Sequence, residues 1–384
     1  MALPGGDGLS DMFVGGGNGQ VSRLYRQRPD GAFELTSQPA FESARASTDV
    51  EAVFIDVDAD GDLDLYVASG GYGGVSEGDP ALQDRLYLND GTGAFSPAPD
   101  ALPRMRTSTG AVAKADVNGD GHPDLFVGGR VIPGRYPESP RSYVLVNRGN
   151  GTFGDRTAEI APALTHPGMV TDAVWEDLDG NGAPNLIVAG EWMPIRIFAV
   201  DGGALVEQTE TYFREPQRGF WYSVNTFSTG DGRVGLLAGN LGRNSQLRAS
   251  SEEPLELFFA DFDHNGRMDP ILSSYIDGTR HPHALLDRLK KAVPALGARF
   301  SSYEAYANAT LDDLLTAQEQ RDAGRLTVTH LETSLFLLGE EGTLQRQRLP
   351  IEAQYAPVFD AHPLNYNKDS HTDLVLTGNM NERS

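Results

Sequence analysis

The sequence predicts an all-β protein, and two observations lead to that class. An acidic nine-residue pattern recurs seven times along the 384 residues, and an apolar run of strand-like residues follows the copies. Strand–turn–strand stretches such as residues 85–95 and 142–153, with Asn-Asp-Gly or Asn-Gly in the turn, come after these runs. Seven units of this kind predict a seven-bladed β-propeller that occupies residues 1–384 and carries a small α-helical insertion.

The repeated pattern is defined by polar positions around a turn. Asp or Asn occupies positions 1, 3, 5 and 9, Gly usually occupies position 6, and an apolar run follows position 9. The first five copies recur every 50 to 61 residues, which is close to the ~40–50 residues of known propeller blades. The five full copies are 56–64, 116–124, 177–185, 261–269 and 365–373, and two degenerate copies contain Asp7 and Asp231 at position 5.

The flanks of the acidic pattern predict the order of elements in a repeat. Apolar stretches such as 50–55, 111–115 and 255–259 precede the fuller copies. Each repeat is therefore expected to run strand, acidic loop, strand, hairpin, strand. Because the chain begins inside one copy and stops soon after the last post-loop strand, we expect it to be a segment of a longer protein.

Residues 283–322 differ from the rest of the chain. Leu285, Leu286 and Leu289 recur at helical spacing, and Thr310 with Asp313 matches a capping box. This stretch predicts a helical insertion within the sixth repeat.

The acidic loops offer the oxygen ligands of a hard cation. Carboxylates crowded within nine residues repel each other, and the side chains at positions 1, 3 and 5 of a tight turn converge. The carbonyl of position 7 adds an oxygen, and position 9 closes the shell. All-oxygen coordination favours Ca²⁺ over Mg²⁺ or Mn²⁺. The predicted ligands are Asp56, Asp58, Asp60, Asp62 and Asp64; Asp116, Asn118, Asp120, His122 and Asp124; Asp177, Asp179, Asn181, Ala183 and Asn185; Asp261, Asp263, Asn265, Arg267 and Asp269; and Asn365, Asn367, Asp369, His371 and Asp373.

The composition of these loops suggests two other interpretations, an EF-hand and an ordinary β-turn. An EF-hand needs a Glu at position 12, whereas the five loops have Val67, Val127, Val188, Leu272 and Leu376 there. Loops rich in Asp, Asn and Gly can also be ordinary β-turns, and this alternative stays open. The side-chain carboxylates at positions 1, 3, 5 and 9 number 4, 3, 2, 3 and 2, so the first loop should bind a cation best.

Composition excludes several other classes. The chain has 31 Lys and Arg against 54 Asp and Glu, a formal net charge of −23, and its densest basic cluster is the short stretch 288–291. Binding of nucleic acid needs a basic face, so we expect none. The chain has no Cys and no run of 18 apolar residues, so we expect no disulfide, thiolate metal site or membrane span.

The motifs D-x-D-x-D-G-x-x-D-L at 56–65 and LYLNDGTGAF at 86–95 resemble the FG-GAP/VCBS repeats of integrin α-subunit propellers and of cartilage acidic protein. Residues 239–250, 260–275 and 301–315 are similar to large exported bacterial VCBS-repeat proteins, which often carry an ASPIC/UnbV domain. The resemblance implies Ca²⁺ in the blade loops and a propeller face that binds proteins or glycans. It also implies an extracellular, periplasmic or cell-surface location. The implied Ca²⁺ ligands are those of the full loops, and the third and fifth depart from the pattern at Asn185, Asn365 and Ser370.

The function expected from these observations is that of a Ca²⁺-stabilised binding or adhesion module. No Gly-x-Ser-x-Gly, His-Glu-x-x-His, Walker or dinucleotide motif occurs, so nothing in the sequence supports catalysis. The alternative is a carbohydrate-active or sugar-binding propeller with its site at the central channel. An aromatic sugar-binding rim could be formed by Glu191, Trp192, Phe220, Trp221, Tyr222, Tyr303 and Tyr306. Separately, His281 and His283 could ligate a transition metal. The competing interpretation is that the two histidines lie in a loop before the helix and that the aromatic residues pack in the core.

Overall fold

Antiparallel strands dominate the structure, a computed structural model that describes residues 8–229, 232–369 and 372–378. In these residues the strands form seven sheets, and the helices are short. The predicted all-β class is therefore confirmed. The chain divides into two compact units, of which unit 1 is Met1–Pro133, Glu138–Ile187 and Ile197–Gln208, and unit 2 is Gly134–Pro137, Val188–Arg196 and Thr209–Ser384.

Unit 1 contains three sheets whose strands pair in chain order. The first has three strands, and the next two have four strands each. Their bounds are β1 (Met12–Val14), β2 (Arg23–Gln27) and β3 (Phe33–Leu35); β4 (Thr48–Ile55), β5 (Asp64–Gly70), β6 (Arg85–Asn89) and β7 (Phe95–Pro97); and β8 (Ser108–Ala115), β9 (Asp124–Val131), β10 (Tyr143–Asn147) and β11 (Phe153–Asp155). The order strand, acidic loop, strand, hairpin, strand predicted from the sequence is present in the two four-stranded sheets.

The core of unit 1 lies between successive sheets, and β5 shows how the sequence specifies it. Side chains alternate between the two faces of a strand. Leu65 and Val67 pack into a cluster that includes Leu24 of β2, whereas Tyr66 and Ala68 pack into a cluster that includes Leu125 of β9. A strand that is buried on both faces is mostly apolar, which explains the continuous apolar runs of β5 and β9.

The next sheet continues the same order. It contains β12 (Met169–Glu176), β13 (Asn185–Pro194), β14 (Arg196–Asp201) and β15 (Ala204–Glu207), and β16 (Arg218–Phe220) pairs with β13. Two single-turn helices precede β12 and β16, namely α1 (Thr157–Ile160) and α2 (Thr209–Tyr212). Within unit 1, β12 approaches β8 so closely that a Cβ on Gly110 would lie 2.2 Å from the carbonyl oxygen of Val170. Only glycine fits at this position.

Unit 2 departs from the predicted order. Its strands are β17 (Ser223–Ser228), β18 (Val234–Gly239), β19 (Leu255–Ala260), β20 (Asp269–Ile276), β21 (Thr279–Pro282), β22 (Gly324–Val328), β23 (Ser334–Leu338), β24 (Leu344–Gln347), β25 (Val358–Leu364) and β26 (Asp373–Gly378). One sheet has the order β17-β18-β23-β24, and a complete second sheet, β21-β20-β19-β22, lies between β18 and β23 in the chain. Strands β25 and β26 form a two-stranded sheet.

Five helices lie between β21 and β22. They are α3 (Leu286–Ala292), α4 (Pro294–Gly297), α5 (Tyr303–Ala307), α6 (Leu311–Leu314) and α7 (Ala317–Asp322). Their apolar residues form a cluster with Phe258 and Ile271 of the adjacent sheet. The capping box of Thr310 and Asp313, predicted from the sequence, begins α6. None of the described helices combines the length and the apolar character that crossing a bilayer requires. The part of the chain that the structure describes also contains four 3-10 helices: Pro39–Ala44, Pro80–Leu82, Pro162–Leu164 and Ile351–Gln354.

Candidate metal centres in the acidic loops

The five full acidic loops occupy equivalent places in their sheets. Each connects the two strands of an antiparallel pair, and position 9 is the first residue of the second strand. The pairs are β4 and β5, β8 and β9, β12 and β13, β19 and β20, and β25 and β26. Asp7, Asp231, Ser370 and the predicted ligand His371 lie outside the described residues.

Position 1 shapes the turn. In the first loop, Asp56 accepts hydrogen bonds from the N–H groups of Ala59 at 2.8 Å and Gly61 at 3.2 Å. The glycine at position 6 has a φ of +91° here and between +84° and +86° in the next three loops, a left-handed conformation that favours glycine. The same bond from position 6 to position 1 is 2.8 Å long in the second, third and fourth loops. The position-1 carboxylate therefore holds the loop in one shape.

Position 9 joins the loop to the sheet. Asp64 and Asp124 are 1% and 0% exposed. One oxygen of Asp64 accepts the N–H of Val57 at 3.0 Å, and the other accepts the N–H of Asn89 in β6 at 2.8 Å. Asp124 repeats both bonds, with its second oxygen bound by Asn147 of β10 at 2.8 Å. This side chain therefore ties three neighbouring segments of a sheet together.

Sequence reasoning missed the two asparagines that complete this arrangement. Asn89 and Asn147 each end the third strand of their sheet, and each donates its N–H to the position-9 carboxylate. The available signal was the Asn that stands just before the hairpin turn in both strand–turn–strand stretches.

Two loops bring three carboxylates together. Oxygen atoms of Asp56, Asp58 and Asp64 lie within 4.8 Å of one another, and so do those of Asp261, Asp263 and Asp269. Both groups consist of positions 1, 3 and 9. In the described residues these are the groups of three or more acidic or histidine side chains that meet this distance.

In the first cluster, the pKa values of two carboxyl groups are raised. One oxygen of Asp58 is buried and has no hydrogen-bond partner. Burial raises the pKa of Asp58, and the neighbouring carboxylates of Asp60 and Asp56 raise it further. Burial also raises the pKa of Asp64 to about 6. Among the described residues, no Lys or Arg forms an ion pair with this cluster. A divalent cation would lower these pKa values, because a nearby positive charge favours the ionised carboxylates.

The fourth loop has the same electrostatic character. Burial raises the pKa of Asp269, and the carboxylate of Asp263 raises it further. Position 5 is Asn265, whose N–H is held by Asp261 at 2.8 Å. This loop therefore presents a three-carboxylate group within a turn of fixed shape.

In each of the other three loops, a side-chain amide donates a hydrogen bond to a carboxylate. The side-chain amide of Asn118 donates to Asp120 at 2.9 Å, that of Asn181 donates to Asp179 at 3.0 Å, and that of Asn367 donates to Asp369 at 2.8 Å. Each bond uses one of the two lone pairs of a carboxylate oxygen. The position-7 residues of the described loops, Asp62, His122, Ala183 and Arg267, donate their N–H to the side chain at position 5. Ligation through their carbonyls stays a prediction.

The aromatic candidates are mostly packing residues. Trp192, Phe220 and Trp221 are 5%, 8% and 0% exposed, and the ring of Trp192 packs edge-on against Phe220 at 4.6 Å. Tyr306 is packed against Phe300, with ring centroids 5.0 Å apart. His281 contacts the carbonyl oxygen of Ala309 through Nδ1 at 2.8 Å. These contacts favour the core-packing interpretation over a sugar-binding rim or a metal pair.

Comparisons with known proteins agree with the acidic loops. The family model described as an FG-GAP-like repeat matches residues 6–67 and 56–127. A search of curated proteins found no match to the chain.

Three solved structures show only weak similarity. A thermostable family-43 glycoside hydrolase is 10% identical, with 71% of this chain and 88% of that chain covered and a TM-score of 0.30. An ancestral GH74 enzyme is 10% identical, with 94% and 52% covered and a TM-score of 0.29, so this chain spans about half of its length. BBS1N, in a complex with ARL6DN soaked with lead, is 12% identical, with 91% and 93% covered and a TM-score of 0.29. We draw no conclusion from similarities of this size. The family match is specific, and residues 6–127 of this chain contain two FG-GAP-like repeats, as the acidic loops and hairpins predict.

Proposed function

We propose that this chain is a β-propeller that binds Ca²⁺ in its acidic loops and acts outside the cytoplasm as a binding or adhesion module for a protein or glycan. The observation that carries the Ca²⁺ part is the recurrence of one three-carboxylate group, at positions 1, 3 and 9, in two separate loops. The FG-GAP-like repeats support the module and its location, because repeats of this type are typical of extracellular proteins.

The role of the ion in this proposal is structural. Ca²⁺ takes oxygen ligands, and its sites tolerate flexible geometry. In the first loop, Asp56, Asp58 and Asp64 would hold it, and Asp60 is available from the exposed side. Because Asp64 already joins the loop to β6, an ion bound there would fix the junction of β4 and β5. Five bound Ca²⁺ would change the net charge from −23 to −13, which reduces self-repulsion.

The test is thermal unfolding in EDTA and in increasing Ca²⁺, together with metal analysis of the purified protein. A folded state that binds Ca²⁺ selectively gains about 2.7 kcal/mol at a concentration 100 times Kd. Asp58→Asn and Asp263→Asn should each reduce the gain and the bound metal. Asp100→Asn removes a carboxylate from an exposed turn and should behave like the wild type. An unchanged melting temperature together with metal-free protein would show that the loops are only turns.

The ligand part is tested separately. Binding to a glycan array or to a matrix protein without chemical change of the ligand supports a binding module. Release of products from a polysaccharide would support the carbohydrate-active alternative instead.

A further inference from the structure

A basic cleft lies in unit 2, and none of its lining residues belongs to a full acidic loop. Its walls are Gly242, Arg243, residues 247–252, residues 329–332 and Arg346, and its volume is ≈ 430 Å³. A second pocket of ≈ 370 Å³ shares Arg243, Glu332 and Arg346 with it and adds Arg348. The two pockets therefore adjoin, and together they are called the cleft. Six of the lining residues belong to the segment 239–250, which contains no residue of a full acidic loop.

The charge of this cleft is opposite to that of the protein. Four arginines line it, at 243, 248, 346 and 348, against two glutamates, at 252 and 332, so the local balance is 4 − 2 = +2. The whole chain has a net charge of −23. His330 also lines the cleft, but burial, followed by the charge of Arg346, lowers its pKa to about 4. The positive charge at neutral pH therefore comes from the arginines.

The guanidinium groups are available to a ligand. Among the described residues, no carboxylate forms an ion pair with Arg346, Arg348 or Arg248. Arg248 donates only to backbone carbonyls, those of Ser245 and Leu247, each at 2.6 Å. Arg243 has a single long ion pair, 3.5 Å from its Nε to Glu332.

Gln354, which lines the second pocket, belongs to a network of buried polar groups. Asn240, Thr333 and Gln354 are 0%, 2% and 4% exposed. The Gln354 side chain accepts the N–H of Thr333 and donates to its carbonyl oxygen, both at 2.9 Å, and the N–H of Asn240 binds the Thr333 hydroxyl at 3.1 Å. Gly242 has a φ of +82°, and a Cβ there would lie 2.6 Å from the carbonyl oxygen of Gln354. These contacts fix the backbone next to Arg243 and Glu332, and a site that is ordered before a ligand arrives has a lower entropic cost of binding.

We propose that this cleft binds an oligosaccharide or small metabolite that carries two or more carboxylate, sulfate or phosphate groups. Guanidinium groups recognise these oxyanions through paired, charge-assisted hydrogen bonds. Each pocket has the ~300–1,000 Å³ expected for a small-molecule site, and two adjoining pockets provide for anionic groups at two places. The inference deepens the ligand part of the proposed function and is independent of its Ca²⁺ part.

The experiment is isothermal titration calorimetry of the whole chain at constant ionic strength. The anionic probes are sulfate, phosphate, a sulfated tetrasaccharide and a uronate tetrasaccharide, and a neutral tetrasaccharide is the control ligand. We expect at least one anionic probe to bind, the neutral sugar not to bind, and R346Q/R348Q to weaken binding at least tenfold. Both arginines are exposed, so the double variant should keep the wild-type melting temperature. Arg321→Gln removes an exposed arginine of α7 and should leave binding unchanged.

The outcomes separate the possible sources of the anion and the two proposals. Stronger binding of the charged tetrasaccharides than of sulfate or phosphate identifies an acidic glycan, whereas sulfate or phosphate binding as tightly as they do shows a site for one oxyanion and overturns the ligand with two or more anionic groups. The inference is overturned if no anionic probe binds, if the neutral sugar binds equally well, or if a folded R346Q/R348Q variant binds like the wild type. Repeating the titration in EDTA and with Asp58→Asn tests independence from Ca²⁺, because loss of metal binding should leave anion binding intact.

Discussion

Replacement of Glu51 by glutamine is expected to stabilise the protein at neutral pH and to leave its stability near pH 4.5 unchanged. Glu51 lies in β4 and accepts the N–H of Val112 at 2.6 Å. Burial, and then the nearby carboxylate of Asp172, raises its pKa from 4.5 to about 8. The amide oxygen of glutamine can accept the same hydrogen bond and carries no charge to desolvate.

The size of the effect follows from proton linkage. Because the pKa of Glu51 is higher in the folded state, its contribution to stability is fully present below pH 4.5 and is lost as pH rises towards 8. At pH 7 the unfolded carboxyl lies 2.5 pH units above its ordinary pKa of 4.5. At about 1.4 kcal/mol per unit, folding of the wild type costs up to about 3 kcal/mol to protonate this group. Glu51→Gln removes that cost.

The assay is urea unfolding of the wild type and Glu51→Gln between pH 4.5 and 8, all in EDTA. The difference in the free energy of unfolding should be near zero at pH 4.5 and should grow with pH. Asp84, whose pKa burial raises to about 7, titrates in both proteins and cancels in the difference. Glu34→Gln, on the exposed strand β3, should change stability by less than ~0.5 kcal/mol at every pH. A difference for Glu51→Gln that is constant with pH, or a variant less stable at pH 7, would refute the reasoning.

Three further substitutions test the packing and the loops. Gly110→Ala should lower the free energy of unfolding by ~1–3 kcal/mol, because its Cβ meets a carbonyl oxygen of β12 at 2.2 Å. Gly73→Ala, which has open space around it, is the matched control, and equal urea midpoints for the two variants would contradict the close approach. Asp64→Ala should lower the melting temperature even in EDTA, since it leaves two backbone N–H groups without acceptors at ~1–3 kcal/mol each. Asp60→Ala should not lower it in EDTA, and similar losses in both variants would count against the structural role of position 9. Trp221→Ala should cost ~3–5 kcal/mol in guanidinium unfolding, because the side chain is fully buried. A near-neutral result there would restore the sugar-binding interpretation.

Local patterns in the sequence predicted the features that depend on neighbouring residues. The nine-residue pattern located all five full loops between paired strands, because the bonds that shape each turn join residues at most seven positions apart, as from Val57 to Asp64. The hairpin at 85–95 and the capping box at 310–313 were predictable for the same reason. The hydrogen bonds between side chains within a loop were not predictable, since the pattern does not show that the amide of Asn118 donates to Asp120.

Features that join distant residues were decided only by the tertiary structure. The sequence by itself determined the all-β class, the FG-GAP-like repeats and the position of the acidic turns, because apolar periodicity and turn chemistry act within a few residues. It did not determine that β18 pairs with β23, although the four strands of another sheet lie between them in the chain. Pairing of strands that are far apart in the chain depends on burial and register rather than on a local signal. It also did not show the basic cleft, whose arginines at 243, 248, 346 and 348 are scattered through an acidic chain. Folding brings those charges together around a buried network, and only their spatial arrangement makes them a binding surface.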